Sequence, residues 1–225
     1  MVTWLEQLNI NPLPCLLSLD NMAIRYFTRR DLADEEVEME TMLPQAQKII
    51  SRQQADGAWE YPANREQDEG NYKLLETFRV LGVLIEKCGL DNRCPAIQRG
   101  AEYLFSCQTG EGDFRGIYGT QYSPNYSAAI TELLIKAGYE NDSRINKSFD
   151  WLISVRQDDM GWAIPIRTHG IRWEETLTHP TPLQPLCVRP SSHLVTGMVL
   201  RAFAAHPAYC STEPAREAGI LLASR

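Results

Sequence analysis

Apolar residues recur at helical spacing through most of this chain and divide it into two kinds of predicted helix. Three amphipathic runs of mixed composition end near residues 53, 108 and 157. Three longer and more apolar runs alternate with them, over residues 71–88, 125–137 and 192–205. Apolar positions three and four residues apart indicate helices. The pattern therefore predicts an all-α chain in which apolar inner helices alternate with mixed outer helices.

Each mixed helix is followed by the same short phrase, a glutamine four residues before a glycine with an aromatic residue close behind. The glutamines are Gln53, Gln108 and Gln157, the glycines Gly57, Gly112 and Gly161, and the aromatic residues Trp59, Phe114 and Trp162. A period near fifty residues indicates a stacked array of helical hairpins. Glycine favours a left-handed turn at a helix end, and glutamine can bond the turn while the ring packs over its side chain. We interpret the phrase as a structural clamp between neighbouring hairpins.

The first copy, Gln-Gln-Ala-Asp-Gly-Ala-Trp from Gln53 to Trp59, resembles the QW repeat of squalene and oxidosqualene cyclases. The same repeat recurs in weaker form in the β-subunits of protein prenyltransferases. The second copy keeps the frame with Glu111 and Phe114 substituted, and the third has Met160 before its glycine. The resemblance covers roughly residues 40–210 and implies an α/α toroid, which is a barrel of helical hairpins.

The chain is short for a closed barrel. A toroid of about six hairpins with about fifty residues each needs nearer 300 residues, and this chain has 225. We expect one α/α toroid-like domain over residues 1–225 that is open or incomplete, or that a second copy closes in a homo-oligomer. A helical N-terminal segment over residues 1–40 and an irregular loop over residues 165–191 complete this description.

Composition and charge exclude several classes of protein. A content of 44% hydrophobic and 23% charged residues is typical of globular domains. A net charge of -7 spread along the chain argues against nucleic acid or an anionic membrane as the main partner. No apolar stretch approaches the roughly 18 residues of a membrane span, and no signal-peptide core forms at the N-terminus. We expect a cytoplasmic protein.

The inner helices begin with similar residue pairs: Asn71-Tyr72, Asn125-Tyr126 and Ser192-His193. Asparagine and serine are good N-caps. If the hairpins stack in register, the three rings converge at one mouth of the central cavity, where helix N-termini favour an anionic or electron-rich ligand. The alternative is that the rings only fill the centre of the barrel.

Other candidate residues flank this mouth. Glu76 and Glu132 fall near the first turns of the inner helices, where they either line a polar cavity or pair with a neighbour. The loop over residues 165–191 carries basic and aromatic side chains, among them Trp173, and also Cys187. Long loops without periodicity are often functional, so this one is either a lid over the mouth or a surface excursion.

Catalytic signatures of the two families are incomplete. The Asp-x-Asp-Asp phrase with which squalene-type cyclases protonate their substrate is absent from the sequence. His193, in Ser-Ser-His-Leu-Val-Thr-Gly, resembles the zinc-binding histidine of prenyltransferases and is the catalytic candidate, but the Asp-x-Cys partner is missing. Cys187 and His193 give two ligands, and a zinc site needs more. We therefore predict no metal site and assign no cofactor.

Two functions remain open on this basis. The resemblance implies an isoprenoid cyclase-like or prenyltransferase-like protein that binds or processes a polyprenyl substrate in a central cavity, with an apolar or isoprenoid diphosphate ligand. The missing acid phrase and zinc ligands favour the alternative, a catalytically silent toroid that acts as a structural or protein-interaction module. Whether the chain is an enzyme is not decided by these residues.

Overall fold

Helices form all the regular structure of the residues that the computed structural model describes, which are 4–38, 43–60, 72–172, 175 and 179–224. Within these ranges there is no sheet, and extended pairing is limited to two isolated bridges, Gln108 with Phe114 and Gly116 with Gly119. The prediction of an all-α chain is confirmed. No described helix is long and apolar enough to cross a membrane.

The helices differ in length, and three of them continue into a wider, π-helical turn. In chain order they are α1 (Leu13–Ser18), α2 (Met22–Phe27), α3 (Leu43–Ile50), α4 (Tyr72–Gly82), α5 (Pro95–Ser106), α6 (Pro124–Leu134), α7 (Ser143–Ser154), α8 (Pro165–Thr168), α9 (His193–Ala205) and α10 (Glu213–Ala223). The π-helical turns extend α2 over Thr28–Leu32, α4 over Val83–Lys87 and α6 over Ile135–Tyr139.

The described helices pack in two layers. Helix α6 contacts both α4 and α9, so these three helices form an inner row with α6 in the middle. Helices α5, α7 and α10 pack against α4, α6 and α9 respectively and form the outer layer. Because α6 has neighbours on both sides and an outer helix behind it, nine of its eleven residues are buried. The predicted alternation of inner and outer helices is present in this part of the chain.

Two of the predicted helix starts can be compared with the structure, and they give different results. Ser192 caps α9, since its hydroxyl accepts a hydrogen bond from the backbone N–H of Val195, as predicted. Helix α6 instead begins at Pro124, so Asn125 lies inside its first turn and is buried. Proline is favoured at this position because the first helical N–H needs no partner inside the helix. Asn71 lies outside the described residues.

The N-terminal helix α2 packs against the C-terminal end of α4. Tyr26 of α2 is buried against Gly89, which follows the π-helical turn of α4. Gly89 has a φ of +68°, and a Cβ atom there would lie 2.5 Å from the Tyr26 ring. Only glycine combines this backbone angle with so close an approach. The predicted N-terminal helical segment is thus packed against the first hairpin.

Candidate functional site

The glutamine of each of the first two repeat turns joins one hairpin to the next. Gln53 donates from Nε2 to the carbonyls of Gly57 and Ala96, both at 2.8 Å. Gln108 donates in the same way to Gly112 at 3.0 Å and to Arg144 at 2.9 Å. Ala96 and Arg144 lie in the first turns of the next outer helices, α5 and α7. These bonds confirm that the two turns act as clamps between hairpins.

The third repeat turn departs from this pattern. Gln157 donates to the carbonyls of Leu186 at 2.8 Å and Arg189 at 2.9 Å, which belong to the long loop and not to the next outer helix. The left-handed residue is Met160, with a φ of +71°, and Gly161 has no positive φ. The expected role of Gly161 is therefore wrong. A Cβ atom on Gly161 would lie 2.3 Å from Ser191 Oγ, so close packing of the loop requires glycine here.

A hydroxyl group on each inner helix accepts a hydrogen bond from the backbone N–H of the aromatic residue in the preceding repeat turn. The backbone N–H of Trp59 donates to Thr77 Oγ1 at 2.9 Å, and that of Trp162 donates to Thr196 Oγ1 at 2.9 Å. In the middle repeat, Phe114 N–H donates to Ser127 Oγ at 3.1 Å. The indole N–H of each tryptophan bonds a carbonyl of its outer helix. These hydroxyl groups fix equivalent positions on α4, α6 and α9.

Positions counted from these hydroxyl anchors separate Tyr72, Tyr126 and His193, which the sequence predicts at one mouth of the cavity. Tyr72 lies five residues before its hydroxyl anchor, Tyr126 one residue before, and His193 three residues before. At about 100° per residue, Tyr72 and Tyr126 share a helix face to within about 40°, whereas His193 is turned by about 160° from Tyr126. Measured from its hydroxyl anchor, Tyr72 also lies about 6 Å further toward the N-terminal end of its helix than Tyr126 does. The three rings therefore do not occupy equivalent positions.

Tyr126 belongs to an aromatic cluster that we define as Phe78, Tyr118 and Tyr126. Its ring centroid lies 5.5 Å from that of Tyr118 and 6.3 Å from that of Phe78 on α4, both edge to face. All three rings are half-buried. Asn125 donates from Nδ2 to the Tyr118 hydroxyl at 3.0 Å, and its buried Oδ1 has no partner among the described residues. The cluster thus leaves part of three aromatic residues exposed between the middle of α4 and the first turn of α6.

The environment of Tyr118 disfavours ionisation of its phenol. Burial raises the pKa of Tyr118, which outweighs the lowering by the Asn125 hydrogen bond and by the positive charge of Arg167. The Tyr118 phenol therefore keeps its proton at a higher pH than an exposed tyrosine does.

We expect the protein to lose stability in alkaline solution, in part through Tyr118. The folded phenol keeps its proton at a pH where the unfolded one, with a pKa of about 10, releases it. The unfolded chain then binds fewer protons, so the free energy of unfolding falls as the pH rises above about 10. Urea unfolding between pH 9 and 11 measures this slope. A Tyr118→Phe variant should show a shallower slope, and an unchanged slope would contradict the assignment.

The two acidic candidates lie apart. Glu132 is in the last turn of α6 and not near its start, and it pairs with Lys136 at 2.7 Å and Arg201 at 2.8 Å. Its side chain is 9% exposed, so this pairing between α6 and α9 is largely buried on the acidic side. Glu76, whose pKa is raised by burial, instead lines a groove of about 680 Å³ beside Trp59. Glu132 thus has a structural role, since its ion pair with Arg201 joins α6 to α9.

The described part of the long loop is held against the segment before α6. Gln121, which is fully buried, donates to the carbonyl of Thr181 at 3.1 Å and accepts from the N–H of Leu183 at 2.9 Å. Gln184 donates to the Tyr122 hydroxyl at 3.1 Å. The loop also contains the short helix α8. Trp173 lies outside the described residues.

Cys187 and His193 do not form part of a larger set of metal ligands in the described structure. Within the described ranges, no group of three or more His, Cys, Asp or Glu side chains could hold a metal ion. The Cys187 thiol donates weakly to the Pro185 carbonyl at 3.8 Å, and its own carbonyl accepts from the N–H of Asp158. His193, the first residue of α9, is exposed. Cys187 therefore helps to hold the loop against the third repeat turn mainly through its backbone carbonyl.

A groove of about 640 Å³, which we call the α9 groove, opens between the loop and the start of α9. Its polar and basic lining residues are Arg167, Thr168, His169, Arg189, Ser191 and Ser192. Its apolar wall includes Ile164, Leu194 and Val195. None of the described lining residues is acidic. Sequence patterns mark the loop as unusual but do not show that residues 167 and 189 line the same groove.

Comparison with known proteins gives one partial similarity to a cyclase. No family model matches the chain. A protein of Sinorhizobium fredii (strain NBRC 101917 / NGR234), described as "Probable squalene--hopene cyclase", is 27% identical over 128 residues. The similarity covers 51% of this chain and 20% of that protein, so the chain matches about a fifth of its relative's length. The similarity points to the cyclase-like superfamily at most.

Proposed function

We propose that this chain is a cyclase-like helical repeat protein that binds a polyprenyl chain against the aromatic cluster of its inner helices. The observation that carries the proposal is the 27% identity to a squalene–hopene cyclase over half of the chain. The resemblance of the clamp turns to QW repeats and the two-layered helical array are in accord with it. We propose that the inner row curves as part of an α/α toroid.

The aromatic cluster has the properties that an isoprenoid chain needs. Phe78 and Tyr126 come from neighbouring inner helices, and because both are only half-buried, part of their aromatic surface is accessible to a ligand. Each buried methylene of a ligand contributes about 0.8 kcal/mol, so even part of a twenty-carbon chain gains useful affinity. Aromatic faces also attract positive charge that develops on a polyene during cyclisation. We assign no residue as the acid for such a reaction.

We expect Tyr126→Ala to weaken the binding of geranylgeraniol, an uncharged polyprenyl alcohol. Removing the ring deletes the central member of the cluster, whereas Tyr126→Phe keeps the ring and should bind as the unaltered protein does. A ligand that binds the folded chain alone raises its melting temperature, so thermal-shift titration measures the effect.

Circular dichroism of the ligand-free variants separates a binding defect from a folding defect. Equal, saturable shifts for the alanine and phenylalanine variants would contradict the placement of the chain on this cluster. An absence of any shift with the unaltered protein would contradict binding of a polyprenyl chain.

A further inference from the structure

We propose that the α9 groove binds the diphosphate headgroup of an amphiphilic ligand. This inference rests on the proposed function, because it names the charged end of the ligand whose apolar chain contacts the aromatic cluster. It adds a second, chemically different site with its own residues. The chief candidates for contact with the headgroup are Arg167 and Arg189.

The charge of the groove is the first argument. The chain carries a net charge of -7, yet the described lining of this groove contains two arginines and a histidine and no carboxylate. Arg167 and Arg189 are exposed, and neither guanidinium makes an ion pair with the residues that the structure describes. Arginine matches phosphate oxygens with paired N–H donors. Two arginines that make no ion pair with the described residues therefore line one concave surface, which favours a phosphorylated anion.

The groove is also held in shape by buried polar contacts. The carbonyl of Arg189 accepts a hydrogen bond from Gln157, which is 2% exposed. Ser192 N–H donates to the carbonyl of the buried Trp162 at 2.8 Å, and Ser191 donates from N–H and Oγ to Asp159. These bonds anchor the loop segment that carries Arg189 to the third repeat turn. A site that is already in shape loses less entropy when its ligand binds.

The histidine in the groove has a defined partner. The His169 ring nitrogen Nε2 lies 2.8 Å from the carbonyl of Gln184, and because a carbonyl can only accept, Nε2 carries the proton. Gln184 in turn bonds Tyr122 in the segment before α6. The loop on the other side of the groove is therefore also tied to the inner row.

The apolar wall of the groove is the reason for proposing an amphiphilic ligand. Leu194 is 74% exposed at the start of α9 and stands beside Ile164 and Val195 in the lining. An exposed leucine in a basic groove gains burial if a hydrocarbon chain lies on it. The groove and the aromatic cluster are linked through hydrogen bonds, since His169 of the groove bonds Gln184, which in turn bonds Tyr122, four residues after Tyr118. The positive end of the α9 dipole favours the same anion.

The test measures binding of inorganic pyrophosphate, geranylgeranyl diphosphate and geranylgeraniol by isothermal titration to the full chain. The variants are Arg167→Gln, Arg189→Gln and both together, with Arg216→Gln as the matched control. Arg216 is an exposed arginine of α10 outside the groove. We expect pyrophosphate to bind saturably and more weakly at higher salt. The double variant should bind pyrophosphate and the diphosphate roughly tenfold more weakly, with Arg216→Gln unchanged.

The three ligands separate failure of this inference from failure of the proposed function. Saturable binding of geranylgeraniol with no binding of pyrophosphate, or with equal loss in Arg216→Gln, would overturn the groove while the polyprenyl proposal stands. Binding of pyrophosphate alone would support the groove and contradict the aromatic cluster. Absence of binding by all three ligands would overturn both. Each single variant is also measured, so that misfolding of the double variant leaves the comparison intact.

Discussion

Gly112→Ala is expected to destabilise the protein by about 3 kcal/mol. Gly112 has a φ of +114°, which side-chain-bearing residues rarely adopt, and an added Cβ would lie 2.3 Å from the carbonyl oxygen of Lys147. Lys147 is part of the backbone of α7, so relief of the clash requires that α7 moves away from the turn. The Gln108 clamp to Arg144 would then be lost as well. Urea unfolding followed by circular dichroism measures the change.

Gly110→Ala provides the control from the same turn. Gly110 is exposed, has no positive φ, and has no atom within 4 Å of the position of an added Cβ. Its substitution should change the free energy of unfolding by less than about 0.5 kcal/mol. Equal effects at the two glycines would show that the second clamp does not hold α7 as the structure describes.

Trp162→Ala is expected to have the larger effect, a loss of about 4 kcal/mol and about 10 °C in melting temperature. Trp162 is fully buried, its ring packs against Phe203 with centroids 5.8 Å apart, and the Arg156 guanidinium lies 5.2 Å from the ring. Its indole N–H donates to the Leu152 carbonyl at 2.6 Å. The alanine variant leaves both a cavity and a carbonyl without its partner.

Trp162→Phe distinguishes the two contributions. Phenylalanine fills most of the cavity but cannot donate to Leu152, so its loss should be about 1–2 kcal/mol. Thermal and urea unfolding of both variants measure these values. A loss below about 1 kcal/mol in the alanine variant would contradict the burial of Trp162 between α7 and α9.

The repeat could be predicted from sequence because its signals are local. The glutamine, the glycine and the aromatic residue lie within seven residues of one another, and the interval from glutamine to glycine is the same in all three copies, although Trp162 comes one residue early. The alternation of apolar and mixed helices likewise follows from periodicity within single helices. Ser192 was identified as a cap for the same reason, since its partner is Val195.

The register of the inner helices could not be predicted, because it depends on contacts across loops of unequal length. The hydroxyl anchors lie 18, 13 and 34 residues after their aromatic partners, at Thr77, Ser127 and Thr196. No fixed spacing reveals them. Alignment by the first ring of each helix therefore placed His193 beside Tyr126, although the anchors turn the two residues to different faces.

The groove was missed for a similar reason. Arg167 and Arg189 are 22 residues apart in sequence and meet because Gln157 and Gln121 bind different parts of the loop between α8 and α9. Both glutamines are buried, but nothing in the sequence distinguishes Gln121 from a surface glutamine of a loop. Gln157 does carry a signal, since its position in the phrase is shared by Gln53 and Gln108, but that signal does not show that its partners are Leu186 and Arg189 of the loop.

The most direct test of the polyprenyl proposal is an equilibrium comparison of geranylgeraniol with its fully hydrogenated analogue, measured by isothermal titration to the unaltered protein. The two alcohols have the same carbon skeleton, so general hydrophobic association would bind them alike. We predict saturable binding at one site, with the polyene tighter because its double bonds contact the rings of Phe78, Tyr118 and Tyr126. Absence of saturable binding by either alcohol, or equal affinity for both, would contradict this account and favour a structural role for the helical array.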